Sequence, residues 1–155
     1  MQQKGVLTVK INFEIISTIL EPFITIHAAE KTPQLVQLSD EIQQLSNSLN
    51  LTGYRDTKRK VISVLEINRI QTSGKRVICQ TPDGEYELHQ RIYELASTLP
   101  HNLFIRTSSS EIIRIAWIKE FALTPTGMYQ IILRDGQQTY TSRRYTREIR
   151  KELLS

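Results

Sequence analysis

Basic and hydroxyl side chains are concentrated near the C-terminal end of the chain. Tyr140-Thr141-Ser142 is followed by a group of cationic residues: Arg143, Arg144, Arg147, Arg150 and Lys151. Guanidinium groups donate paired hydrogen bonds to phosphates and guanine edges, and hydroxyl groups add neutral phosphate contacts. This pattern is typical of a polyanion-binding surface. It is equally typical of a solvated helix whose cations complement the negative end of the helix dipole, and composition does not separate the two.

Residue patterns that would support catalysis or metal binding are missing. The sequence has no P-loop, dinucleotide fingerprint, HExxH motif or nucleophile elbow. His27, His89 and His101 fall in different predicted elements, so we expect no metal site. Ser108-Ser109-Ser110 has no general base at a suitable spacing, which favours a polar loop over a nucleophile. We therefore expect no enzyme activity, no small-molecule substrate and no cofactor.

The distribution of charge suggests that two parts of the chain have different roles. The 155 residues carry 20 basic and 16 acidic side chains, a net charge of +4. Residues 1–54 hold three basic and five acidic side chains, whereas residues 55–155 have a net charge of +6. Any contact with nucleic acid is therefore expected in the second part.

The sequence also predicts a cytoplasmic protein. The longest apolar stretch, residues 15–26, is interrupted by polar residues and is too short for a membrane span. The first residues lack the apolar core and cleavage site of a signal peptide. Cys79 is the single cysteine, as expected in a reducing compartment, and we expect it to be at least half-buried.

The first part of the chain predicts two strands and a helix. Apolar and polar residues alternate over 7–15 and again over 23–28, as in strands with one buried face. Thr32 and Pro33 suit the start of a helix. One narrow apolar seam follows, formed by Leu35, Leu38, Ile42, Leu45 and Leu49. The seam could pair with a partner helix, but we favour packing on the two strands of its own chain. Gly53 and residues 55–58 predict a junction.

The second part predicts short strands with two helices, which gives an α+β fold class. Pro82-Asp83-Gly84 and Asp135-Gly136 are turn signals. The predicted helices cover residues 89–98 and 144–154. The predicted strands cover residues 61–65, 67–71, 76–81, 85–88, 104–106, 112–115, 129–133 and 138–142. We place a small β-β-α segment at residues 1–53 and a β-rich domain at residues 54–155.

The order of short motifs in the second part resembles the LytTR-type DNA-binding domain. The motifs are Arg91-Ile92-Tyr93-Glu94-Leu95, Leu99-Pro100, residues 104–110, Ile112-Ile113, Ile118-Lys119, Asp135-Gly136 and Ser142-Arg143-Arg144-Tyr145. The resemblance covers about residues 54–154. It implies a β-rich fold without a helix-turn-helix, which sets loops into successive major grooves on one face of double-stranded DNA. It further implies a bacterial transcription regulator.

The family's DNA contacts fall in three loops, and the resemblance carries them to Lys75, Ser109 and Arg144. Lys75 would contact phosphate or guanine, although a solvated hairpin lysine would have the same pattern. Ser109 is shorter than the amide or basic side chain of many members, so this loop would reach only the DNA backbone unless neighbours compensate. The neighbours included in the predicted surface are Arg76, Arg106, Ser108, Arg143 and Arg147. Arg114 also departs from the family, which commonly has Asn after the apolar pair.

The segment before the domain suggests how the protein is regulated. Its 53 residues are too few for a receiver domain, so phosphorelay control is not expected. The layout resembles stand-alone LytTR regulators, which are often held inactive by a membrane protein. The resemblance and the geometry of binding one DNA face suggest a homodimer on tandem repeats. The helix seam, or the sheet edge beside it, is the candidate surface for self-association or inhibitor binding. The alternative function is a protein-interaction module that has lost specific DNA readout.

Overall fold

The computed structural model describes residues 6–153 and the side chains of residues 6–151. The chain divides into two compact units, Met1–Gln43 and Gln44–Ser155. This division lies ten residues before the junction that the sequence suggested at Gly53. Within the described residues, no helix is long and apolar enough to cross a membrane.

The predicted helix of the first part is confirmed, but the two predicted strands are not formed. Helix α1 spans Pro33–Ser48, and the Thr32 hydroxyl accepts a hydrogen bond from the Leu35 N–H at 3.3 Å, as expected of an N-cap. Residues 7–15 and 23–28 belong to no strand, and every residue from 6 to 31 is exposed. An alternating pattern fixes which side chains share a face, but a strand also needs a hydrogen-bonded neighbour, and residues 6–31 pair with none. The two strands on which the helix seam was predicted to pack are therefore not formed.

The second unit contains two antiparallel sheets. The larger has seven strands in the order β2-β1-β5-β4-β3-β7-β6, and the smaller has the order β10-β9-β8. The helices of this unit are α2 at Ile92–Thr98 and α3 at Arg143–Leu153. The strands are β1 Asn50–Arg55, β2 Lys58–Ser63, β3 Arg69–Ser73, β4 Arg76–Thr81, β5 Gly84–Leu88, β6 Phe104–Ser108, β7 Glu111–Arg114, β8 Ile118–Leu123, β9 Tyr129–Leu133 and β10 Gln138–Tyr140.

Strands β6 and β7 lie between two hydrophobic cores. Phe104 and Ile112 pack in the first core, which includes α2 and most of the large sheet. Ile105 and Ile113 pack in the second core, which includes the small sheet and the apolar side of α3. Successive side chains of a strand point to opposite faces, so this strand pair contributes to both cores. The loop that joins β6 and β7 is therefore fixed from both sides.

Two strands of the second unit, β1 and β8, were not predicted from the sequence. Gly53 lies inside β1 rather than in a junction: a Cβ there would come within 2.4 Å of the Ile62 Cδ1 atom and 2.9 Å of the Tyr86 Cβ atom. The glycine is thus needed for close packing between strands. Strand β8 was missed because its pairing with β9 shifts register between Ile118 and Glu120, which breaks the alternation of apolar and polar residues.

Candidate DNA-binding surface

The first segment of the candidate surface is the turn between β3 and β4. Ser73 and Arg76 are paired across this hairpin, and Gly74 adopts a φ of +61°, a conformation that favours glycine. The side chain of Lys75 is exposed at the tip. Arg76 is also exposed and lies 3.7 Å from the carboxylate of Glu87 on β5. The turn therefore presents one cation at its tip and a second that is partly neutralised.

The second segment is the loop Ser108–Ser110 between β6 and β7, which we call the serine loop. The Ser108 hydroxyl accepts a hydrogen bond from the Ser110 N–H at 3.2 Å, and the side chain of Ser109 is exposed. Arg106 donates two hydrogen bonds to the loop. Its Nε donates to the Ser108 carbonyl at 3.1 Å, and its Nη2 donates to the Ser109 carbonyl at 3.3 Å. Its guanidinium also lies 5.0 Å from the centre of the Tyr145 ring. Arg106 thus holds the loop in shape.

The third segment is the first turn of helix α3. Arg143, Arg144 and Arg147 are exposed, whereas Tyr145 and Ile149 are buried in the second core. The Arg144 guanidinium lies 5.5 Å from the centre of the Tyr145 ring. The N-terminal end of a helix carries the positive end of the dipole, so dipole complementarity does not explain two arginines there. It remains a sufficient explanation only for the cations of the last turn, Arg150 and Lys151.

Backbone hydrogen bonds join the three segments. The Thr72 N–H, beside the β3–β4 turn, donates to the Ser110 carbonyl at 2.9 Å. The Ser142 N–H, which precedes α3, donates to the Thr107 carbonyl at 2.9 Å. The serine loop is therefore fastened to the β3–β4 turn on one side and to the start of α3 on the other. We call the three segments together the candidate DNA-binding surface.

A buried carboxylate adds side-chain contacts between the strands that carry these segments. Glu111, the first residue of β7, is only 5% exposed. It forms an ion pair with Arg69 of β3, and it accepts hydrogen bonds from the hydroxyls of Thr107 at 2.5 Å and Thr139 at 2.9 Å. Arg69 also donates to the Gln137 side chain at 2.8 Å. One carboxylate thus connects β3, β6, β7 and β10, which are four of the strands that border the three segments.

Two arginines that attract attention in the sequence have structural contacts. Arg114 donates through Nη1 to the Leu65 carbonyl, which ties the end of β7 to the turn that follows β2. Arg106, part of the predicted surface, uses two of its nitrogens on the serine loop. Sequence reasoning missed Glu111, Arg69 and Thr139. The available signal was an acidic residue directly before the apolar pair Ile112-Ile113.

Comparison with known proteins identifies the family of this chain. The family model described as the LytTr DNA-binding domain matches residues 57–154. The chain belongs to the LytTr DNA-binding domain family. The resemblance noted from the sequence is thereby confirmed, with a boundary three residues after the expected one.

Relatives and a solved structure agree with this assignment. The chain is 33% identical over 144 residues to proteins of Staphylococcus aureus strains NCTC 8325 and COL that are named uncharacterized HTH-type transcriptional regulators, with 93% of this chain and 97% of theirs covered. A LytTr DNA-binding domain of a methyl-accepting/DNA response regulator from Bacillus cereus superposes with a TM-score of 0.62 at 17% identity, over 66% of this chain and 94% of that one. The α+β LytTr fold is thus confirmed.

The HTH class in the relatives' names differs from the fold of this LytTr domain. A helix-turn-helix needs two helices in succession. Among the described residues, strands separate α1 from α2 and α2 from α3. The exposed cations of the candidate surface lie on a hairpin turn and on the start of α3 instead, beside the serine loop.

Proposed function

We propose that this LytTr protein is a bacterial transcription regulator that binds double-stranded DNA in a sequence-specific manner through the candidate DNA-binding surface. The observation that carries the proposal is the pair Arg143 and Arg144 at the N-terminal end of α3. Cations there oppose the helix dipole, so complementarity with the dipole does not account for their placement. A bound phosphate would interact favourably with both the helix end and the arginines.

Each segment has a distinct role in the proposed complex. Arg144 donates to a guanine edge in a major groove, while Arg143 and Arg147 contact the neighbouring phosphates. Lys75 contacts phosphate or guanine in the next groove. Ser109 has a short side chain and contacts the DNA backbone, and Arg106 keeps the serine loop in the required shape.

Selection of bound fragments from the source genome tests this function. Wild-type protein and Arg144→Ala are compared at near-physiological salt, together with Arg59→Ala. Arg59 is an exposed arginine on β2, the edge strand farthest from β6 in the large sheet, so it is a matched control. We expect wild type and Arg59→Ala to enrich the same motif, and Arg144→Ala to lose it. If a folded wild-type protein enriches no motif, the regulator function is refuted and the interaction module takes its place.

The regulator is further proposed to act in the cytoplasm as a homodimer on tandem repeats. Two copies on one DNA face need half-sites separated by whole helical turns of about 10–10.5 base pairs. The test inserts five base pairs between the repeats of the selected motif. We expect this insertion to abolish the tight complex and an insertion of about ten to restore much of it.

A membrane-protein inhibitor is a second proposed partner, and helix α1 is its proposed contact. Leu45, in the apolar seam of that helix, is 50% exposed. The test is the seam variant Ile42→Asp in cells that express the regulator. An Ile42→Asp protein that stays folded, dimeric and subject to inhibition would exclude the seam as this contact.

A further inference from the structure

The N-terminal segment, residues 6–16, exposes an unusual amount of apolar surface. Its odd-numbered residues are all apolar, and Ile11, Phe13 and Ile15 are more than 80% exposed. Its backbone takes part in no strand pairing. Exposed apolar side chains and unpaired backbone groups on one segment make it a ready edge for another strand.

We propose that the N-terminal segments of two copies of this chain pair antiparallel about Asn12 and form the core of a homodimer interface. This proposal deepens the dimer proposed above by naming its contact surface. Three properties support this pairing: the charges of the segment, its alternation, and the exposed apolar area of residues 6–24.

The charges of the segment are complementary to those of a second copy. Lys10 and Glu14 are the charged residues of 6–16, and they lie symmetrically on either side of Asn12. In an antiparallel pair centred on Asn12, each Lys10 lies opposite the Glu14 of the other copy. Opposite charges directly across a ladder stabilise it, and like charges destabilise it. A shift of two residues along the strand places neither charge opposite its counterion.

The same register also pairs apolar residues with apolar residues. Val9 lies opposite Ile15, and Ile11 lies opposite Phe13, all on one face of the ladder. Aromatic and β-branched side chains are the pairs that stabilise antiparallel ladders best. The contact is isologous, because each copy offers the same surface, as a twofold dimer requires.

The exposed apolar area is sufficient for a stable dimer. Seven large apolar side chains are at least 71% exposed: Val6, Ile11, Phe13, Ile15, Leu20, Phe23 and Ile24. Burying a side chain of this kind removes on the order of 100 Å² from water. Together they approach the roughly 800 Å² per partner that is usual for a specific interface. A two-stranded ladder alone is marginal, so the contribution of residues 20–24 is required.

A charge-swap experiment on the full chain without DNA tests the proposal. Sedimentation equilibrium gives the dimer dissociation constant of wild type, Lys10→Glu, Glu14→Lys, the double variant, and an equimolar mixture of the two single variants. Each single variant places two like-charged pairs across the interface and should weaken self-association about tenfold. The double variant and the mixture restore opposite charges at both pairs and should regain wild-type affinity.

This design separates pairing from overall charge. Lys10→Glu lowers the net charge of the chain by two and Glu14→Lys raises it by two, so a net-charge effect would move their affinities in opposite directions. Equal weakening by both, with recovery in the mixture, supports the proposal. A wild-type chain that is monomeric at micromolar concentration overturns the proposal. The segment would then pack on its own chain or bind a different partner. Single variants with unchanged affinity overturn it as well.

Cross-linking gives an independent measure of register. In the proposed ladder the two Asn12 side chains face each other, whereas the two Thr8 side chains lie roughly 27 Å apart. We expect a short bis-maleimide to link Asn12→Cys dimers and not Thr8→Cys dimers. The native Cys79 is buried, and burial raises its thiol pKa to about 11, so it does not compete. Equal linking at both positions overturns the register. Genome selection with Arg144→Ala reads DNA binding separately, so failure here is distinguishable from failure of the proposed function.

Discussion

Replacing Glu111 with Gln tests whether the buried carboxylate holds the candidate DNA-binding surface together. The substitution keeps the size of the side chain and removes its charge. Arg69 then lacks its counterion while its side chain stays 12% exposed. Both threonine hydroxyls donate to the Glu111 Oε2 atom, and Arg69 donates to Oε1. The Gln carbonyl can replace only one of these two oxygens, and its NH₂ group then faces hydrogen-bond donors at the other.

The expected loss of stability follows from this geometry. Removing one partner of a buried ion pair costs about 3–5 kcal/mol, because the remaining charge stays buried without compensation. Arg69 keeps its hydrogen bond to Gln137, which lowers the cost. We therefore expect Glu111→Gln to reduce the free energy of unfolding by about 2–4 kcal/mol. Glu87→Gln is the matched control: its pair with Arg76 is 3.7 Å long and exposed, and should contribute less than about 1 kcal/mol.

Urea unfolding of the four members of a double-mutant cycle provides the assay. Adding Arg69→Met to Glu111→Gln removes the unpaired charge, so the double variant should lose less stability than the sum of the single variants by about 1–3 kcal/mol. DNA affinity should fall in Glu111→Gln with an unchanged salt dependence, because no phosphate contact is removed. A Glu111→Gln protein as stable as Glu87→Gln, or additive energies in the cycle, would refute the structural role of this carboxylate.

Three further outcomes are expected. Of the two contacts proposed for Lys75 we expect phosphate, so Lys75→Ala should weaken binding to all DNA sequences alike and lower the slope of log affinity against log salt by about one. A change confined to one base position would indicate the guanine contact instead. Gly53→Ala should lower the free energy of unfolding by about 1–3 kcal/mol, as thermal or urea melting will measure, because the new methyl group would collide with Ile62 and Tyr86. Burial raises the pKa of Cys79 from 9.0 to about 11, so the unfolded chain releases this proton first as pH rises. Stability should then fall between pH 9 and 11, by about 2 kcal/mol more in wild type than in Cys79→Ala.

The sequence predicted best the elements that depend on local residues. Pro82-Asp83-Gly84 specified the hairpin between β4 and β5, and Gly84 has the positive φ of +110° that such a turn needs. Helix α1 begins after its predicted cap at Thr32. The alternation over residues 7–15 predicted a strand that is not formed. The pattern indicates which face of a strand would be buried, but it does not indicate whether a neighbouring strand is available for hydrogen bonding.

For the candidate surface, the sequence identified exposed cations but not what fixes their positions. Arg144 and Lys75 stand out by residue type and by resemblance. The contacts of Glu111 with Arg69 and Thr139 join residues 42 and 28 positions apart, and no periodicity reports such pairs. Arg106 was predicted as a DNA contact that compensates for the short side chain of Ser109, and the structure adds a role in holding the serine loop that the sequence does not reveal.

The exposed cations and the buried hydrogen bonds that connect their loops should contribute differently to DNA binding. Cations on independently moving loops would still attract the DNA backbone, since that attraction depends on charge and salt. Reading bases in successive grooves additionally requires that the loops keep fixed distances from one another, because a bidentate contact fails after a displacement of about 1 Å. The bonds from Thr72 to Ser110 and from Ser142 to Thr107 set those distances, and Glu111 braces the strands beneath them. In the proposed complex, sequence preference should therefore depend on Glu111 and the other connecting residues as much as on Arg144.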